Sequence, residues 1–205
     1  LEDVRPEPPQ TEERRRELSK PTATEKLAVG YHSPAIGDFD HPALSLLSEV
    51  LFGGRASRMH QALVRKLEIA SEVRVFVGPF RDPGLTEIYA SARGTHTAET
   101  LLAEIDREIA RVCEEAIPEA EIERARARTE LSLVAGLESA DGKASTIGFY
   151  DTILGRPGAA FERLDELARV TASDLRRVAR RYLVPERRTV ILVRAQTGEK
   201  KEAAE

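Results

Sequence analysis

The stretch GPFRDPG at residues 78–84 lies between two runs of alternating character. Before it, Val73, Val75 and Val77 share one side of an extended chain, with Arg74 and Phe76 on the other. After it comes TEIYASAR at 86–93. Alternation of this kind places residues i and i+2 on the same face of a strand. A segment with two glycines and two prolines cannot extend either ladder, because proline lacks the backbone donor and glycine favours turns. The chain therefore turns back on itself, and the two runs read as an antiparallel pair joined by a longer loop.

Everything else must fit around that pair. KLAVGYH at 26–32 alternates Leu27, Val29 and Tyr31, and RTVILVRA at 188–195 is apolar and β-branched; both read as strands. From Ala43 the apolar positions fall at 43, 46, 47, 50 and 51, which is helical spacing. Asp40 is placed to cap that helix, and Pro42 suits its first turn. A second helix runs from Ser57 to about Leu67, and a further one over 97–116 with apolar residues at 101, 102, 105, 109, 112 and 113. Pro118 opens a long helix to about 139, interrupted by SADGKAS at 139–145. GFYDTILG then reads as a helix ending near Gly155, and Ala159–Val170 as a short amphipathic one. Thr171 and Asp174 have capping-box spacing before Leu175, Val178, Ala179 and Tyr182. This order favours an α+β fold, a mostly antiparallel sheet with helices packed on one face. The expected layout is a linker or surface-draped segment over 1–21, one domain over 22–196, and a disordered tail over 197–205.

Charge narrows the function classes. Net charge is −4 with both signs mixed throughout, which argues against a nucleic-acid binder. No run approaches the roughly 20 apolar residues of a membrane span. There is no Trp, so aliphatic side chains build most of the core. The lone cysteine, Cys113, excludes an internal disulfide and sits on the inward face of its helix. The chain opens on Leu1 and continues charged and Pro-rich, which reads as a piece of a longer protein.

Local chemistry is sparse. His32, His41, His60 and His96 form no metal-ligand pair by spacing, and each reads as a loop, cap or helix-surface residue. Neither H-E-x-x-H nor H-x-x-E-H occurs, and there is no G-x-S-x-G elbow. LFGGRASR at 51–58 resembles a phosphate cradle only superficially, because a helix rather than a strand precedes it. Gly53 and Gly54 read as a helix end, Ser57 as the cap of the next helix, and Arg58 as a contact for an anion or a backbone carbonyl. The basic runs RARAR (124–128) and RRVARR (176–181) read as solvated helix faces with i,i+4 ion pairs.

Three segments together carry a resemblance: EKLAVGYHSP, then DHPALSLLSEVLFGGRASRMHQALVRKLEIASEV, then TASDLRRVARRYLVPERRTVILV. They resemble the pitrilysin/insulinase-type zinc metallopeptidases, the inverzincins, and more narrowly their zinc-less C-terminal domain. The resemblance covers almost all of residues 22–195. It implies a protease built from repeated α+β domains, one of which carries H-x-x-E-H and zinc while a facing domain closes a peptide-sized chamber.

In many relatives that facing domain supplies an Arg and a Tyr that hold substrate and stabilise the oxyanion. Aligned on Val73, the Arg position falls on Val64 and the Tyr position on Ser71. Arg65 is adjacent, but a shift of one residue turns a side chain about 100° around a helix. Arg58 does match the family pattern. The resemblance thus implies a non-catalytic domain that holds no zinc of its own. Its partners would be a zinc-bearing peptidase domain, in the same or another chain, and a peptide substrate; a homo-oligomer is also allowed. Gly53, Gly54, Ser57, Arg58 and Arg65 are the candidate substrate or structural contacts. The competing reading is a scaffold subunit that has lost proteolysis. The expectation is a soluble bacterial domain, with periplasm and cytoplasm both open.

Overall fold

A computed structural model describes residues 8–196. The chain runs β1 (Arg14–Lys20), β2 (Lys26–Ser33), α1 (His41–Phe52), a π-helix (His60–Lys66), β3 (Ala70–Val77), β4 (Gly84–Ala92) and α2 (Ala98–Glu114). It continues through α3 (Glu119–Gly136), α4 (Ala140–Leu154), α5 (Ala159–Arg169), α6 (Ala172–Tyr182), a 3-10 turn (Pro185–Arg187) and β5 (Arg188–Ala195). The sheet order is β1-β5-β2-β4-β3. Every pairing is antiparallel except β1 with β5.

Alternation decides which side of the sheet is covered. Leu27, Val29 and Tyr31 of β2, Ile88 and Ala90 of β4, and Val190 and Leu192 of β5 point to one face and are buried. Against them pack Leu44, Leu47 and Leu51 of α1, Leu101 and Ile105 of α2, and Leu175, Val178 and Ala179 of α6, in one continuous core. Burial of side chains of this size contributes about 1.5–3 kcal/mol each. The fold class read from the sequence holds.

Three elements depart from the sequence reading. Residues 14–20, expected inside a linker, form β1 at the edge of the sheet. RRRELSK has one strongly apolar residue, Leu18, so no alternation betrays it. Its hold comes from the ladder with β5 and from charge: Arg194 of β5 takes Glu17 at 3.0 Å and Glu25 at 2.9 Å. Arg188, buried at the start of β5, takes Glu13 at 2.7 Å, the Tyr31 hydroxyl at 3.1 Å and Asp106 of α2. These bonds hold the Arg188 guanidinium more basic than usual although burial works the other way, and the anchor ties the start of the chain to the core.

The helix does break near SADGKAS, at residues 137–139, but all of the stretch after Ser139 is already α4: the Ser139 hydroxyl accepts from the Gly142 amide and caps the helix. Gly155 ends it with φ 66°, as its glycine suggested. The helix after Gly54 is widened into a π-helix, with the Leu67 amide donating to the Ala62 carbonyl at 3.0 Å. The expected tail over 197–205 lies outside the described residues.

Candidate functional site

The two glycines make a joint rather than a cradle. Gly53 ends α1 by donating to the Glu49 carbonyl at 2.7 Å, and Gly54 turns the chain with φ 72°. A Cβ on Gly54 would lie 2.6 Å from Nη1 of Arg128, so side chain and turn compete for the same space. Arg128 reaches in from α3 to pair with Glu49 of α1. The Ser57 hydroxyl does not cap the next helix; it donates back to the Gly54 carbonyl at 2.8 Å and closes the turn. Arg58 Nε meets Glu121 of α3 at 2.7 Å, with both side chains mostly covered. Arg124 adds a bond to the Ala56 carbonyl at 3.2 Å. The structure thus brings Gly53, Gly54, Ser57 and Arg58 together as a clamp between α1, the π-helix and α3, and Arg58 spends its main donor on a carboxylate.

Val64, Arg65 and Ser71 sit apart from that clamp. Val64 is half-buried against the core, and Arg65 is exposed on the π-helix. The exit from the π-helix passes through Glu68 at φ 52°, an unusual conformation for a residue with a Cβ. Ser71 is exposed in the irregular start of β3, where the register skips between Ala70 and Glu72, and donates to the Ser91 carbonyl at 3.3 Å. A π-helix and a β-bulge flank these positions, and both features concentrate at functional sites.

The basic runs are inter-element staples more than solvated faces. Arg126 donates to the Leu167 carbonyl at 3.2 Å and the Val170 carbonyl at 3.0 Å, closing the end of α5. Arg180 donates to the Cys113 carbonyl at 2.9 Å. Arg177 and Arg181 converge on Asp40 at 2.5 and 2.8 Å, and the Tyr182 hydroxyl donates to it at 2.9 Å. Asp40 is 1% exposed and makes no cap to α1. Burial alone would raise its pKa; the donors from Arg177 and Tyr182 and the charges of Arg177 and Arg181 outweigh it and hold the carboxyl below the usual range. Burial first, then the bond to Asp40, pushes Tyr182 up to about 12. One signal was available: Arg177 and Arg181 are four apart on a helix, one face offering two guanidiniums to a single acid.

His41 is not a surface cap. It is buried in the first turn of α1, and its Nδ1 accepts from the buried Arg163 of α5. Burial, then the Arg163 charge, pushes its pKa down to about 4, so the ring stays neutral. Cys113 is half-buried at the margin of the core, and burial raises its thiol pKa against the opposing charge of Arg180. Among the described residues no three His, Cys, Asp or Glu side chains converge in a way that would hold a metal ion. The described residues thus offer no ligand set for zinc.

Comparison with known proteins now adds the family. A family model described as the peptidase M16 inactive domain matches residues 1–129. An uncharacterized zinc protease of Streptomyces coelicolor is 30% identical over 81% of this chain and 36% of its own length. One of Rickettsia bellii is 32% identical over 80% of this chain and 40% of its own. The chain thus spans well under half the length of these curated relatives. A protease structure from Helicobacter pylori superposes with a TM-score of 0.85 over 91% of this chain and 45% of that one, at 24% identity, which speaks for the fold. The chain belongs to the peptidase M16 inactive-domain family, the C-terminal domain type of the pitrilysin-type peptidases.

Proposed function

We propose that this domain is the non-catalytic half of a zinc metalloendopeptidase: it walls a chamber and holds peptide opposite a zinc-bearing domain in the same or another chain. The observation that carries this reading is the match to the inactive domain combined with coverage of only 36% and 40% of two relatives named zinc proteases. The remainder of such a relative is long enough for a second domain of this size.

The sheet favours one edge for holding peptide. β1 ends one side of the sheet and carries Arg14, Arg15, Arg16 and Lys20, charges that discourage added strands. β3 ends the other, and Phe76, Phe80 and Leu85 are exposed at its far end. An extended peptide adding to β3 would gain backbone bonds and an apolar contact.

Zinc content and peptide cleavage are measured on this domain alone and on the domain joined to its native upstream sequence. The reading expects zinc and cleavage only in the longer protein, with deletion of the domain abolishing activity. It also expects Phe76→Lys in the longer protein to raise KM with little change in kcat. If the longer protein holds no zinc and cleaves nothing, and no zinc-bearing partner is found, the scaffold reading replaces this one.

A further inference from the structure

α5 borders a groove of about 270 Å³. Ala159, Arg163, Glu166 and Arg169 recur at helical spacing along its wall. At about 1.5 Å per residue, the ten-residue separation of Ala159 and Arg169 gives a slot about 15 Å long. The opposite wall comes from the loop around Ile36 and Gly37, from Pro42 and Ala43 of α1, and from Tyr150 and Leu154 of α4. Ile36, Tyr150 and Ala159 belong to a small apolar cluster separate from the main core, so one end of the slot is apolar. The other end is bordered by Arg169 and Arg177.

An account of the charges leaves one cation over. Among the bordering acids, Glu166 takes Arg163 at 3.2 Å, Asp174 closes the capping box with Thr171, and Asp38 accepts from the Asp40 amide at 2.8 Å. Arg156 is held by Glu162 at 2.7 Å, and Arg177 by Asp40. Arg169 has no ion pair or side-chain hydrogen bond among the described residues. Arg163, 8% exposed, is committed to His41 and Glu166.

We propose that this groove is a binding site for a small monocarboxylate with an unbranched apolar tail, the tail against Tyr150 and Ala159 and the carboxylate at Arg169. One end of the slot is apolar, and each charged group that borders it other than Arg169 already has a partner within the protein. A single uncommitted guanidinium suits a monoanion, and it pairs a carboxylate with two parallel bonds. The same chemistry has two sources, a free aliphatic acid and the C-terminal residue of a peptide. The site stands independently of the proteolytic reading.

Calorimetry and saturation-transfer NMR with octanoate on the full protein test it. Saturable binding is expected, with octanol and octylamine at least about tenfold weaker. Arg169→Gln, at an exposed position, should weaken octanoate binding about tenfold. Ala159→Leu should abolish it by filling the slot. Arg107→Gln, at an exposed position of α2 that does not line the groove, should leave octanoate binding unchanged. Thermal melts accompany each variant, and Arg169→Gln decides the matter if Ala159→Leu misfolds. A norleucine-terminated peptide and its C-terminal amide separate the sources: binding of octanoate alone supports the free acid, and binding of the peptide acid but not the amide supports the peptide terminus. No saturable binding of either carboxylate, equal binding of octanol, or unchanged affinity in Arg169→Gln overturns the proposal.

Discussion

Replacing Asp40 with asparagine removes the charge from a buried acid that Arg177, Arg181 and Tyr182 all reach. The side chain keeps its shape and can still accept from Tyr182, but an amide now faces Arg177 and Arg181. A charge-assisted hydrogen bond is worth about 1.5–3 kcal/mol. Losing one partner of a fully buried pair costs about 3–5 kcal/mol, and an exposed pair contributes under about 1 kcal/mol. Asp40 is on the buried side of that range, while the Arg177 and Arg181 side chains are 40% and 60% exposed and can regain water. The expected cost of Asp40→Asn is therefore about 2–3 kcal/mol, an intermediate figure. At about 2–4 °C per kcal/mol for a domain of this size, Tm falls by about 4–12 °C. The pH dependence has a fixed sign. The folded-state pKa lies below the ordinary 3.8, so the carboxylate's contribution is complete above that value and is lost as pH falls through the folded pKa. The stability gap between wild type and Asp40→Asn should be flat above about pH 5 and should narrow toward pH 3. Urea or thermal unfolding at several pH values reads both quantities, and a double-mutant cycle with Arg177→Met should show coupling of at least about 0.5 kcal/mol. A loss under about 0.5 kcal/mol, with a gap that ignores pH, would refute the assignment of Asp40 as a structural keystone.

Gly54→Ala combines a left-handed φ with crowding of Arg128, and should cost about 1–2 kcal/mol by urea unfolding. Arg58→Ala should lower stability by about 1–3 kcal/mol through the orphaned Glu121; added phosphate should leave the Tm of wild type and variant unchanged, and a specific phosphate shift in wild type would revive the anion reading. Glu13→Gln should destabilise by about 1 kcal/mol or more by loosening Arg188, whereas a true linker residue would give no effect. Thr171→Ala breaks the capping box of α6 and should cost about 1 kcal/mol in the same assay.

Elements with a local apolar pattern were legible: β2, β3, β4, α1, α2 and α5 follow from spacing, β5 from its apolar, β-branched run, and α6 from spacing with its capping box. β1 was not, because an edge strand held by its backbone ladder and by arginine–glutamate pairs needs no apolar alternation. The π-helix was not legible either, since its wider turn depends on how Leu63 and Val64 meet the core and not on a local pattern. The candidate joint Gly53–Arg58 was located correctly as punctuation, yet its partners Glu121, Arg124 and Arg128 lie on a helix more than sixty residues downstream. Asp40 was misread for the same reason. An aspartate before a helix is a sound local cap, and only the tertiary approach of α6 offers it two arginines and a tyrosine instead. The arginine-rich stretches misled in parallel: their charge looked solvated because the carbonyls and acids they bind belong to other elements.

The sheet order has a consequence for synthesis. β1 and β2 are neighbours in sequence, yet β5 lies between them. As the chain leaves the ribosome, β2, β3 and β4 can assemble once residue 92 has emerged, but the slot beside β2 stays empty until residues 188–195 follow. During that interval β1 has no strand to pair with, and β2 presents an open ladder to any extended segment nearby. The nascent domain is thus open to mispairing from the emergence of β4 until β5 is made, and β5 must then enter between β1 and β2.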